Sequence, residues 1–106
     1  LHDALAGITN RWERASKLDG QTLQIETERK ASLDLQNRLT EQLSVLRDTG
    51  DEGALRRRYV AELGQEQDKV RKFEDEIRAL EQESARLRNK ADARLKALAA
   101  PEPAES

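Results

Sequence analysis

Between Leu63 and Leu98 apolar residues return on a fixed interval. Steps of seven give Leu63, Val70, Ile77, Ser84, Ala91 and Leu98, and positions three later give Glu66, Phe73, Leu80, Leu87 and Arg94. Almost everything between is charged or amidic. This is an a/d heptad seam held for about five repeats, the pattern that wraps one helix around another. So narrow a stripe builds no globular core on its own, and the helix that carries it needs a partner helix. Association, rather than catalysis, is the expected business of such a chain.

Composition agrees. Of 106 residues, 38% are charged and only 3% aromatic, with one Trp, one Tyr and one Phe. That usage belongs to long helices and coiled coils, and sustained periodicity argues against extended disorder. The 19 basic and 21 acidic residues are interspersed for a net charge of -2, so no basic face offers itself to nucleic acid. There is no Cys, hence no disulfide framework and no thiolate metal site. No apolar run approaches the roughly 20 residues that span a bilayer. The chain opens on Leu1, already in pattern, and reads as a piece cut from a longer rod.

The first segment, residues 1–48, carries a less regular seam. It begins Leu1, Leu5, Ile8, Trp12, Ala15 and then changes frame to Leu18, Thr22, Ile25, Arg29, Ser32, Gln36, Leu39, Leu43, Leu46. The change reads as a three-residue stammer, and Asp19-Gly20 beside it predicts a kink or short interruption near 17–21. Leu23, Leu33 and Leu35 fall outside the strict seam, which leaves two readings: a loosely packed dimer, or a second contact surface for lateral assembly or a folded-back helix.

Residues 49–53, Thr49-Gly50-Asp51-Glu52-Gly53, interrupt the pattern. Each Gly costs about 1 kcal/mol in a helix interior, and the heptad frames on either side disagree, so a discontinuity is expected near residues 47–58. It reads as a linker, a stretched part of a continuous rod, or the turn of an αα-hairpin with nearly equal arms. The second segment, 54–98, is the regular one. In a parallel pair Lys69 meets Glu74 and Glu83 meets Arg88, which attract, while Glu76 meets Glu81, which repels; the balance favours parallel alignment. Arg71–Asp75, Lys72–Glu76 and Glu74–Arg78 are spaced for support along one helix. Pro101 and Pro103 stop the helix near Leu98, and 99–106 is expected to be a disordered tail.

No constellation for chemistry emerges. His2 is the only histidine and has no companion ligands, so neither metal nor cofactor is expected. The carboxylates lie on solvated faces, and no Ser–His–Asp set or glycine-rich phosphate loop is present. Arg56-Arg57-Arg58 is a short basic run, read as an ordinary charged face with Arg56 covering the seam by its stem. Arg29, Glu66, Ser84 and Arg94 are polar seam residues of the kind that fix register and partner number at a cost in stability.

The run Lys69-Val70-Arg71-Lys72-Phe73-Glu74, followed by Ala79-Leu80-Glu81-Gln82-Glu83, resembles intermediate-filament rod segments, and the late discontinuity followed by regular heptads resembles the crescentin family of bacterial intermediate-filament-like proteins. The animal rod-end consensus with its Tyr-Arg-Lys-Leu-Leu run is missing. The resemblance implies parallel dimers that build filaments supporting cell shape, in the cytoplasm and near the inner face of the membrane, with any peripheral membrane contact made by other parts of the protein.

The reading is therefore an all-α chain, a long parallel two-stranded coiled coil that pairs with itself as a homodimer and extends into a filament, with no nucleic acid as partner and no enzymatic activity. Its self-association seam comprises Leu5, Ile8, Trp12, Leu18, Ile25, Leu39, Leu43, Leu46, Tyr59, Leu63, Val70, Phe73, Ile77, Leu80, Leu87, Ala91 and Leu98. The alternative is an antiparallel hairpin turning at Thr49–Gly53, an adaptor or binding module within a larger assembly.

Overall fold

A computed structural model describes residues 1–100, and within them all regular structure is α-helical. Helix α1 spans His2–Val45 and helix α2 spans Gly50–Ala99. Both are rich in Leu, Ala, Glu, Arg, Lys and Gln, which lose little side-chain freedom in a helix. α2 stops where expected, just short of Pro101. Of the expected tail, residues 101–106 lie outside the described residues.

The helices contribute to two compact units. One joins 1–22 to the segment that starts at Ala79; the other is Leu23–Arg78. The second unit is a hairpin. Cross-helix contacts run backwards along α2 as they run forwards along α1: Arg29 meets Glu74, Ser32 meets Glu66, and the Leu43 carbonyl meets Arg56. The pairing is therefore antiparallel, and the seam that was expected to face a second, parallel copy faces the other helix of the same chain. In the first unit Ala15 and Asp19 of α1 meet Ser84 of α2.

The interruption is shorter than the sequence suggests and lies earlier. Only Leu46–Thr49 separate the helices, and residues 51–58 already belong to α2. Gly50 takes φ +64°, a left-handed conformation that glycine adopts without steric cost. The Gly53 N–H donates to the Thr49 carbonyl at 3.1 Å, closing the first turn of α2, while Asp51 and Glu52 face its positive dipole end. Gly53 is buried against the turn. A Cβ there would lie 2.5 Å from the Asp48 carbonyl oxygen, so no other residue fits unless that backbone moves. Arg56 fastens the two arms. Its guanidinium donates to the Leu43 carbonyl at 2.7 Å, satisfying an orphan acceptor of α1's last turn, and pairs with Asp48 at 3.0 Å. The role expected for Arg56, covering the seam by its stem, omitted this cap.

The expected kink near 17–21 is absent: α1 runs through Gly20 without a break. Nor does the seam change frame. The inward residues of α1's first half are Ala4, Ile8, Arg11, Ala15, Leu18 and Thr22, in unbroken four-three alternation with Ile25, Arg29, Ser32, Gln36, Leu39, Leu43 and Leu46. Leu1, Leu5 and Trp12 suggest a different start only because they are more strongly apolar than Ala4 and Arg11. The helix instead turns Ala4 and Arg11, both half-buried, inward and carries Leu5 and Trp12 on the flank.

Candidate helix-pairing interface

The apolar part of the interface is thin. Ile8, Ala15, Leu39, Val70, Leu87 and Ala91 are the buried hydrophobic residues. Of the seam residues expected from the sequence, Ile8, Leu39, Val70, Leu87 and Ala91 are buried, and Leu18, Ile25, Leu43, Leu46, Tyr59, Leu63, Phe73, Ile77 and Leu80 are half-buried. Leu5, Trp12 and Leu98 are exposed, at 44%, 36% and 41% of their surface. The pairing thus uses most of the seam and leaves three of its members facing solvent. Four polar residues, Thr22, Ser32, Glu66 and Ser84, are as buried as the apolar ones.

Three of those polar residues build two related layers, in which serine and carboxylate change helices while the cation stays on α2. In the hairpin unit the Ser32 hydroxyl on α1 donates to the Glu66 carboxylate on α2, whose other oxygen accepts from Lys69 Nζ at 3.0 Å. In the other unit the Ser84 hydroxyl on α2 donates to Asp19 Oδ1 on α1 at 2.6 Å, and Arg88 donates to Asp19 Oδ2. Each layer satisfies a carboxylate with a hydroxyl from across the interface and a cation, Lys69 from Glu66's own helix in one and Arg88 from the opposite helix in the other, the condition under which a charge is tolerated near a core. Thr22 turns its hydroxyl back to the Leu18 carbonyl at 3.0 Å and so needs nothing from α2.

The electrostatics follow from this geometry. The Glu66 carboxyl is held below its ordinary 4.5 by the Ser32 hydroxyl first and by Lys69 second, against an opposing effect of burial. The Asp19 carboxyl is held below its ordinary 3.8 by the Ser84 hydroxyl, then by Arg88. Arg29 is less well served. Its Nε lies 3.5 Å from Glu74 Oε1, close enough for an ion pair, yet it is buried with no hydrogen-bond partner. Outside the interface, Arg86 pairs with Glu83, Arg78 with Asp75 and Arg71 with Asp68, each three residues apart rather than the expected four. Such exposed pairs add little to stability, because solvent screens them.

Sequence reasoning singled out Glu66 and Ser84 as register-setting and passed over Asp19. Asp19 lies beside the seam rather than in it, next to inward Leu18, and there it is within reach of Ser84 and Arg88 of α2. Arg88, four residues after Ser84 and on the same side of α2, was the available clue. Arg94, also expected to fix register, is exposed. Among the described residues no group of three or more His, Cys, Asp or Glu side chains is placed to hold a metal ion, and no helix is long and apolar enough to cross a membrane. No protein-family model, curated protein or solved structure matches the chain.

Proposed function

We propose that this chain is a structural helical-hairpin module, an adaptor that holds two helices in fixed antiparallel register and presents their outer faces to a larger assembly. The observation that carries the proposal is the pair of Ser–carboxylate layers, Ser32–Glu66 and Ser84–Asp19. Each needs unlike residues on the two helices, which antiparallel pairing within one chain supplies. Parallel, in-register pairing of two copies sets Glu66 against Glu66, Arg29 against Arg29 and Ser84 against Ser84. Like charges then meet at the seam, and Glu66 keeps only Lys69 of its own helix and loses its hydroxyl partner, which destabilises that pairing. No catalytic role is part of this reading.

A second reading keeps the intermediate-filament resemblance: a parallel homodimeric rod of a bacterial cytoskeletal filament, cytoplasmic or beneath the cell membrane, that supports cell shape. The regular heptads of 54–98 favour it, as do the exposed seam residues Leu5, Trp12 and Leu98. The isolated segment 50–100 separates the two. As half of a hairpin it is largely unfolded at low micromolar concentration and becomes helical on mixing with segment 1–46. As filament rod it forms a stable helical dimer alone, and that result refutes the adaptor reading.

A further inference from the structure

One flank of the first unit gathers positive charge that the fold leaves unneutralised. Arg11 of α1 and Lys90 and Arg94 of α2 rim a groove of about 340 Å³ floored by Ala93 and Ala97. Arg14, one turn after Arg11, stands on the same flank. It and Lys90 are both close enough to Glu83 to help hold that carboxyl below its ordinary 4.5, behind the larger effect of the Arg86 hydrogen bonds. Lys17 follows one turn further along α1.

Among the described residues every ion pair is made by other cations, so none of these five has a carboxylate at its head. Two carboxylates share the flank. Glu83 is bonded to Arg86 through both oxygens, and Asp3 lies two turns, about 12 Å, along α1 from Arg11. The other flank is built differently: there Arg88 is neutralised by Asp19. Arg11 with Arg14, and Lys90 with Arg94, are each one turn apart, a spacing at which like charges destabilise a helix. The free hairpin keeps that repulsion, and an anionic partner relieves it.

We infer that this groove docks an acidic helix of a partner protein, which seats small side chains on Ala93 and Ala97 and offers carboxylates to Arg11, Arg14, Lys90 and Arg94. The inference rests on the hairpin reading above and names the kind of partner that the adaptor takes up. Charge complementarity requires an anionic occupant, and two features select a helix. A floor of alanines lets a second helix approach to the lower end of the 8–10 Å that separates packed helices. The cations stand one turn apart along each helix, so Glu or Asp at i, i+4 on one face of the partner meets them in step. Nucleic acid is disfavoured by the chain as a whole, whose net charge of -2 repels a polyanion at range.

The test is fluorescence anisotropy of a labelled alanine-based peptide with Glu at i, i+4 along one face. It is about 20 residues long, enough to be helical in water. The whole chain is titrated into it at about 20 mM salt, where charges are screened only beyond about 20 Å. The expected result is saturable binding, at least tenfold weaker for the same peptide with Gln in place of Glu. Lys90→Gln with Arg94→Gln also weakens binding at least tenfold, and because both positions are exposed that variant keeps wild-type helicity. Lys30→Gln with Lys72→Gln removes as much charge from exposed positions of the other unit and leaves binding unchanged. No binding of the Glu peptide, or equal losses in the two double variants, overturns the inference. So does an oligodeoxynucleotide of matched charge that binds as tightly, because the flank then takes any polyanion. A dimer of the whole chain in sedimentation that Lys90→Gln with Arg94→Gln abolishes also overturns it, because the groove then belongs to a second copy. Failure of the underlying hairpin reading looks different: helix content falls on dilution, with or without peptide.

Discussion

Replacing Ser32 by Ala isolates one polar layer. Ser32 and Glu66 are 6% and 8% exposed, so water does not readily take the place of the lost hydroxyl. A hydrogen bond to a charged group contributes about 1.5–3 kcal/mol, and its removal leaves a nearly buried carboxylate short of a donor. Two effects reduce the loss. Lys69 still reaches Glu66 Oε1 at 3.0 Å, and its side chain is 60% exposed, so that edge of the carboxylate remains close to solvent. Alanine is also the better helix former, by about 0.5 kcal/mol. The balance is a destabilisation of about 1–2 kcal/mol, which lowers the midpoint of thermal unfolding by roughly 5–10 °C for a chain of this size. The assay is the helical circular-dichroism signal followed through heat unfolding at two protein concentrations. Thr40→Ala is the matched control. It too removes a hydroxyl bonded to a carbonyl, at 2.9 Å from Gln36 O, but on an exposed face, and its expected effect is neutral to slightly stabilising. A Ser32→Ala chain that melts with the wild type, or no lower than Thr40→Ala, refutes the claim that this layer holds the helices together.

Four further outcomes follow from the geometry. Gly53→Ala drives a methyl into the Asp48 carbonyl and destabilises by about 1–3 kcal/mol, whereas Gly20→Ala and Gly64→Ala, where nothing lies within 4 Å, each stabilise by about 0.5–1 kcal/mol; denaturant titration of the three variants reads the opposite signs. Arg56→Met keeps the apolar stem but loses the Leu43 cap and the Asp48 pair, and costs about 1–2 kcal/mol with faster hydrogen exchange in the last turn of α1. Asp19 and Glu66 both have folded-state pKa values below their ordinary 3.8 and 4.5. Their contribution to stability is therefore complete above those ordinary values. It declines as pH falls beneath them and is gone once pH passes the depressed folded values, so melting midpoints fall through that acid window and fall less steeply in Glu66→Gln. Arg29→Leu removes the buried, unbonded Nε and leaves stability unchanged or raised, as measured by the same unfolding transition.

The all-helical character and most of the pairing face were legible because both follow from local pattern. Heptads from Tyr59 to Ala91 were read in the correct frame, since large apolar residues there coincide with the inward positions. The first segment misled for the opposite reason. Leu5 and Trp12 are more strongly apolar than Ala4 and Arg11, and periodicity weighs apolar character without seeing which face has a neighbour. Partner choice was not legible at all. A heptad seam prescribes that a helix lie beside another and is silent on whether that helix belongs to the same chain. The flanking charges Lys69, Glu74, Glu83 and Arg88 suit a parallel pair on paper, yet Arg88 bonds Asp19 and Glu74 faces Arg29, contacts that antiparallel pairing makes available. The turn itself was announced by Gly50 and Gly53. What they could not disclose is that Gly53 serves a close approach to Asp48 rather than a weak point in a continuous helix.

The most direct test is the distance between probes at Gln24 and Asp75, exposed positions on α1 and α2 of the hairpin unit, with each doubly labelled chain diluted into unlabelled protein so that only intrachain pairs report. Helices packed at about 8–10 Å between axes place the two backbones within about 20 Å of each other. A continuous helix through the same residues places them about 75 Å apart. A single short distance, unchanged on dilution, is what this account requires; a distribution centred near the long value contradicts it.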